Sequence, residues 1–135
     1  MIQGKNIGFI HRKVPALKKT PGPMLRLMFA TKPCVRFVWT VTLDNDLDHH
    51  GDTWKRKPVT RGCKLWLRVE RQVIRPFLEV NASLFLVRTY LYSFESLKEP
   101  KERNHLAAVL KTNRPEIWKY KNLTKDMRRE AVRQL

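Results

Sequence analysis

The sequence predicts an α+β protein in which an antiparallel sheet is followed by C-terminal helices. Three segments rich in β-branched and aromatic residues lie between residues 35 and 92, whereas the last third of the chain has apolar residues at helical spacing. Strands that precede helices, rather than alternate with them, are typical of this class. The chain has 135 residues, of which 42% are hydrophobic, and this is enough for one domain with a core.

The N-terminal part is expected to be an irregular basic segment over residues 1–34, with the α+β domain over residues 35–135. Residues 1–43 contain no Asp or Glu. A mitochondrial presequence is also poor in acids, but Gly8, Pro15 and Pro21 would interrupt its amphipathic helix. No stretch approaches the roughly 18 apolar residues of a membrane span. We therefore expect an intracellular protein without a membrane segment, in the cytoplasm rather than in mitochondria.

The strand predictions rest on composition and on turn residues. Residues 35–43 (VRFVWTVTL), 65–74 and 83–92 (SLFLVRTYLY) are predicted strands. Pro76 and Asn81 are expected to mark the boundary between the second and third strands, which would then form an antiparallel pair.

The polar segment that starts at Asp44 (DNDLDHHGDTWKRKPVTRGC) fails as a calcium loop, because His49 and Lys55 occupy the Gly and Glu positions. A solvated hairpin loop is the favoured interpretation, and His49 and His50 as metal ligands are the alternative. Cys34 and Cys63 are isolated in sequence and are expected to be reduced thiols.

The helix predictions follow the spacing of apolar residues in the last third. Leu106, Val109 and Leu110 recur at helical intervals, and Pro115 is suited to the first position of a short helix. A last helix should begin at Thr124 as its N-cap and have Met127, Ala131 and Leu135 on one face.

The second strand raises a question about its polar residues. If it alternates regularly, Arg68, Glu70 and Gln72 share one face, and a suitable register would let Arg88 of the next strand meet Glu70. A paired and hydrogen-bonded set of this kind could hold a site in place. The alternative is a solvent-exposed face with weak surface ion pairs.

The balance of charges favours anionic partners. The chain has 28 Lys and Arg against 12 Asp and Glu, which gives a net charge of +16. A basic nucleic-acid-binding or non-catalytic interaction protein is therefore an alternative hypothesis, although no known nucleic-acid-binding motif is present.

Five segments of the chain carry a resemblance to a known family. LRVERQVIRPF (67–77) followed by LFLVRTYL (84–91) closely resembles a paired signature of the haem-dependent oxidative N-demethylase-like family. IHRKVP (10–15), VRFVWTVTLDNDL (35–47) and LAAVLKTNRPEIWKYK (106–121) resemble further segments of that family, in the same order.

The resemblance implies a haem-binding α+β domain with a PAS-like sheet that removes methyl groups from small amines, using electrons from separate reductase components. It places seven residues at motif positions that line or brace the haem pocket: His11, Arg68, Glu70, Arg71, Gln72, Arg88 and Tyr90. Arg68, Arg71 or Arg88 would pair with haem propionates, with Gln72 and Tyr90 beside the cofactor. Glu70 would orient an Arg or transfer protons, and His11 would be the iron ligand or a proton-relay group.

This chain also departs from the family pattern. It is shorter than the members it resembles, so a truncated and incomplete sheet is expected. Val38 stands where the family motif has Asn before Trp39, and this change removes a polar side chain.

Overall fold

The structure is a computed structural model that describes residues 32–49, 55, 57–80 and 82–135. Three strands form one antiparallel sheet in the order β1–β2–β3: β1 is Cys34–Thr42, β2 is Trp66–Phe77 and β3 is Ala82–Ser93. Three helices follow: α1 is Pro100–Thr112, α2 is Pro115–Tyr120 and α3 is Lys125–Gln134. The predicted α+β class is confirmed.

The boundary predicted at Pro76 is wrong, because this residue lies within β2. Phe94 donates its N–H to the Leu65 carbonyl at 2.9 Å, so the odd-numbered residues of β2 exchange hydrogen bonds with β3. The missing N–H of Pro76 therefore removes no bond to β3. The chain turns instead through a short 3₁₀ segment, Leu78–Val80; Asn81 lies outside the described residues.

The predicted start of α2 at Pro115 and the predicted N-cap of α3 at Thr124 are confirmed, whereas no boundary was predicted for α1. Pro100 and Pro115 occupy the first turns of α1 and α2, where a missing N–H removes no helical bond. The Thr124 hydroxyl accepts a hydrogen bond from the Met127 N–H at 3.2 Å and caps α3. Met127 and Ala131 are buried on the inner face of that helix.

The contacts divide the chain into two compact units. Among the described residues, the helical unit comprises 37–49, 55, 57–71 and 88–135, and the hairpin unit comprises 32–36, 72–80 and 82–87. The core of the helical unit is a single apolar cluster of buried residues from β1, the ends of the β2–β3 pair and the helices: Val41, Leu43, Leu65, Phe94, Leu110, Leu123, Met127 and Ala131.

In the described part of the hairpin unit, Ile74 is fully buried. Gln72, two positions earlier in the sequence, is also buried, and its side-chain oxygen accepts a hydrogen bond from Arg36 Nε at 2.6 Å. Because Gln72 is buried, its side-chain oxygen has lost hydrogen bonds to water, and the bond from Arg36 replaces one of them.

Within the helical unit, Lys121 joins the end of α2 to β1. Its ammonium donates to the Trp39 carbonyl and lies 4.3 Å from the centroid of the Trp39 ring. Thr40 Oγ1 donates to the Lys121 carbonyl at 3.1 Å. Burial lowers the pKa of Lys121, because an ammonium loses hydration there.

Cys34 and Cys63 are free thiols, as predicted. None of the helices in the described part of the chain is long and apolar enough to cross a membrane.

Candidate functional site

The register of β2 against β3 determines which motif residues share a face. Leu65 pairs with Phe94 through the hydrogen bond described above, and β2 and β3 have 12 residues each. Without a bulge, the pairing then continues residue by residue, so that Arg71 lies opposite Arg88. Glu70 and Arg88 consequently point to opposite faces, and the expectation that they meet is wrong.

Arg71 and Arg88 form a cationic pair across the two strands. Directly opposed residues of an antiparallel pair have Cβ atoms about 4.5–5.5 Å apart, and like charges there destabilise the sheet. Both side chains are exposed, and neither forms an ion pair with a carboxylate of the described residues. An anionic group bound between the two guanidiniums would relieve their repulsion.

An aromatic and apolar surface adjoins this cationic pair. The guanidinium carbon of Arg88 lies 5.2 Å from the centroid of the Tyr90 ring, and the Tyr90 and Tyr92 rings stack at 6.4 Å with an interplanar angle of 12°. The same register places Val69 opposite Tyr90 and Leu67 opposite Tyr92. We call the surface made by these six side chains the Arg71–Arg88 face: Leu67, Val69, Arg71, Arg88, Tyr90 and Tyr92. It combines two positive charges with a flat apolar wall.

Arg68 and Glu70 lie on the opposite face of β2, where Arg68 braces the loop that follows β1. Its two terminal nitrogens donate to the carbonyls of Asp46 and Leu47 at 3.0 and 3.1 Å. Its Nε lies 3.6 Å from Glu70 Oε1. The exposed fractions of the Arg68 and Glu70 side chains are 12% and 29%, so this face is not the open surface of the alternative interpretation.

The braced loop contains a buried acid that the sequence interpretation did not single out. Asp44 is 4% exposed, and its Oδ1 lies 2.8 Å from His49 Nε2. The segment was predicted to be solvated, and Asn45 to Asp48 are indeed exposed, but Asp44 is not. Asp44 directly follows the apolar segment that ends at Leu43, but no local signal in the sequence shows that its side chain is buried.

The predicted site residues are thus divided among separate places. Arg71, Arg88 and Tyr90 come together on the Arg71–Arg88 face, and Arg68 and Glu70 lie behind it. Gln72 belongs to the hairpin unit, where Arg36 is its partner. His11 lies outside the described residues.

Metal-ligating side chains are not clustered in the described part of the chain, where no group of three or more His, Cys, Asp and Glu could hold an ion. The alternative of His49 and His50 as a metal site therefore gains no support, and His50 lies outside the described residues.

Comparison with known protein families identifies one match that spans nearly the whole chain. Residues 3–131 match the family described as haem-dependent oxidative N-demethylase, alpha subunit-like. The match includes all five resembling segments, two of which lie in β2 and β3 and carry the Arg71–Arg88 face. It gives no support to the nucleic-acid hypothesis. The chain therefore belongs to the haem-dependent oxidative N-demethylase, alpha subunit-like family.

Proposed function

We propose that this protein binds haem on the Arg71–Arg88 face and takes part in the oxidative demethylation of a small methylated amine. Family membership supports the cofactor and the type of reaction. The main support for placing haem on this face is that two exposed arginines lie directly opposite each other beside the stacked rings of Tyr90 and Tyr92.

The residues of this face fit the chemistry of a haem edge. Haem has two propionates on one side of a large apolar ring. A guanidinium donates two parallel hydrogen bonds to a carboxylate, so Arg71 and Arg88 would each hold one propionate. The apolar ring would then contact Val69 and the tyrosine rings, where aromatic surface is favourable for a flat ligand.

The remaining motif residues take supporting roles in this proposal. His11 would ligate the iron or relay protons. Glu70, on the other face of β2, would act as a positioning residue through Arg68 and the loop that Arg68 braces. When bound, the haem would supply oxygen and one-electron chemistry, while the protein orients the cofactor and excludes water. A separate reductase would deliver the electrons.

Haemin titration of the purified chain tests the placement, with the Soret band as the readout. Removing one charge-assisted hydrogen bond costs about 1.5–3 kcal/mol, so Arg71→Gln and Arg88→Gln should each raise the Kd roughly tenfold or more. The control is Arg75→Gln. Arg75 is another exposed arginine of β2, its guanidinium lies over Phe77, and this substitution should leave the Kd unchanged.

Two outcomes would contradict the proposal in different ways. If the three variants and the unmodified chain bind haemin with the same Kd, neither Arg71 nor Arg88 holds a propionate. Weak, non-saturating binding by every chain would argue against a haem site altogether. His11→Ala separates ligation from propionate binding, because loss of an iron ligand should move the Soret maximum and not only the Kd.

A further inference from the structure

A concave site lies in the helical unit, at the end of the sheet where β2 begins and β3 ends. It is a cavity of about 400 Å³ bounded by the turn before β2, the residues that follow β3, and side chains from α1 and α3. Its volume is within the range of small-ligand pockets, which is about 300–1,000 Å³. The lining of this cavity is what indicates a ligand class.

The charged lining is predominantly basic. Lys64, Arg103 and Arg133 line the cavity, and Glu95 is the acidic residue among its lining side chains. Arg133 is neutralised from the side by Glu130, whose carboxylate accepts from Arg133 Nε at 2.9 Å. Lys64 and Arg103 therefore provide the positive charge that is available to a ligand.

Glu130 is held in its charged form by several donors. The Gly62 N–H donates to its Oε1 at 2.9 Å, and Gln134 Nε2 donates at 2.7 Å. These hydrogen bonds, together with those from Arg133, lower the pKa of Glu130 to about 2. Glu130 thus stays ionised at neutral pH and holds the guanidinium of Arg133, which lines the cavity.

Arg103 is held rigidly but retains donor capacity. One terminal nitrogen donates to the Leu97 carbonyl at 3.2 Å, and the other donates to the Gln134 carbonyl at 2.7 Å and to the Leu135 carbonyl at 3.4 Å. A guanidinium has more N–H groups than these contacts use. A preorganised cation of this kind loses little conformational entropy when it binds a carboxylate.

The other walls are apolar. Trp66 is a half-buried aromatic residue of the lining, Phe94 is buried, and the free cysteine Cys63 also lines the cavity. A lining that combines cations with an aromatic ring is suited to a small molecule that has both a carboxylate and a ring.

We propose that this cavity binds a small aromatic or apolar carboxylate, with its carboxylate against Lys64 and Arg103 and its ring against Trp66. The site shares no residue with the Arg71–Arg88 face and does not depend on haem binding. It would give the protein a second ligand besides its cofactor.

The Cys63 thiol is a reporter placed within the cavity. In a Cys34→Ser chain, the rate at which iodoacetamide alkylates Cys63 is measured with increasing benzoate. Saturable protection by benzoate, and much weaker protection by the neutral analogue benzamide, is the expected result. Lys64→Gln should raise the half-protecting benzoate concentration about threefold, as expected for a partly exposed charge pair. Lys101→Gln, an exposed lysine of α1 outside the cavity, is the matched control and should change nothing.

Three results would overturn the proposal: equal protection by benzoate and benzamide, no protection below about 10 mM benzoate, or equal effects of Lys64→Gln and Lys101→Gln. Haemin titration of the same variants keeps the two proposals distinct. Lys64→Gln should leave haem affinity unchanged, and Arg71→Gln should leave protection of Cys63 unchanged.

Discussion

Neighbouring residues of one motif have different tasks because successive side chains of a strand point to opposite faces. Arg68 and Arg71 are three positions apart and chemically identical, yet Arg68 donates to two loop carbonyls while Arg71 is exposed. Both terminal nitrogens of Arg68 are engaged with the loop, whereas Arg71 is exposed beside Arg88 on the other face of β2. The structure therefore favours Arg71 and Arg88 over Arg68 as residues that bind an anion.

Glu130 allows a prediction of how stability depends on pH. Its pKa is lowered from an ordinary value of 4.5 to about 2, so the folded state binds its proton less readily than the unfolded chain does. The resulting stabilisation is present above about pH 4.5 and is lost as the pH falls through about 2. We expect Glu130→Gln to lower the free energy of unfolding by about 1–3 kcal/mol at pH 7 and to flatten its pH dependence in that acidic window.

Asp126 provides the control on the same helix. Its side chain is 70% exposed, and its contact with Arg129 is 3.5 Å long. Exposed pairs contribute little, so Asp126→Asn should change the free energy of unfolding by less than about 1 kcal/mol. Urea unfolding at several pH values measures both variants, and equal losses in the two would show that the network around Glu130 contributes no more than a surface pair.

At the scale of elements, the start of α3 depends on one capping hydroxyl. Thr124 Oγ1 accepts a hydrogen bond from the Met127 N–H, and the side chains of Met127 and Ala131 pack in the core. Thr124→Ala should lower the free energy of unfolding by about 1 kcal/mol, because it leaves a first-turn N–H without its acceptor. Thr124→Ser keeps the hydroxyl and should retain most of the stability in urea or thermal unfolding. A Ser variant as unstable as the Ala variant would assign the loss to the methyl group instead.

The turn before β2 illustrates how an element can depend on backbone conformation. Gly62 has a φ of 77°, in the left-handed region, and its N–H bonds Glu130. No atom lies within 4 Å of the position that a Cβ would occupy there. A side chain at this position would therefore be opposed by backbone strain and not by a clash.

At the scale of the whole molecule, a net charge of +16 should oppose compaction through repulsion. Added salt screens this repulsion, since the Debye length falls from about 30 Å at 0.01 M to about 8 Å at 0.15 M. We expect the thermal unfolding midpoint to rise over that range of sodium chloride concentration. Replacing the exposed Lys98 and Lys101 by Glu lowers the net charge and should reduce the rise. A midpoint that falls with salt would mean that attractive pairs dominate the electrostatic balance.

The sequence by itself determined the class of fold, the family and most element boundaries. Local signals suffice for these: β-branched runs for the strands, Pro115 at the start of α2, and the Thr124 hydroxyl at the start of α3. The LRVERQ and LVRTYL segments were sufficient to identify the family.

Only the tertiary structure decided which motif residues meet. The alternation of side chains along one strand is a local property. Which side chains of two paired strands share a face depends on their register, and a shift by one residue moves every side chain of a strand to the opposite face. The bond from Phe94 to Leu65 sets Arg88 against Arg71 and away from Glu70. Burial of Asp44 and the cavity beside Cys63 likewise depend on residues distant in sequence, because loops and helices close over a sheet only when the chain is folded.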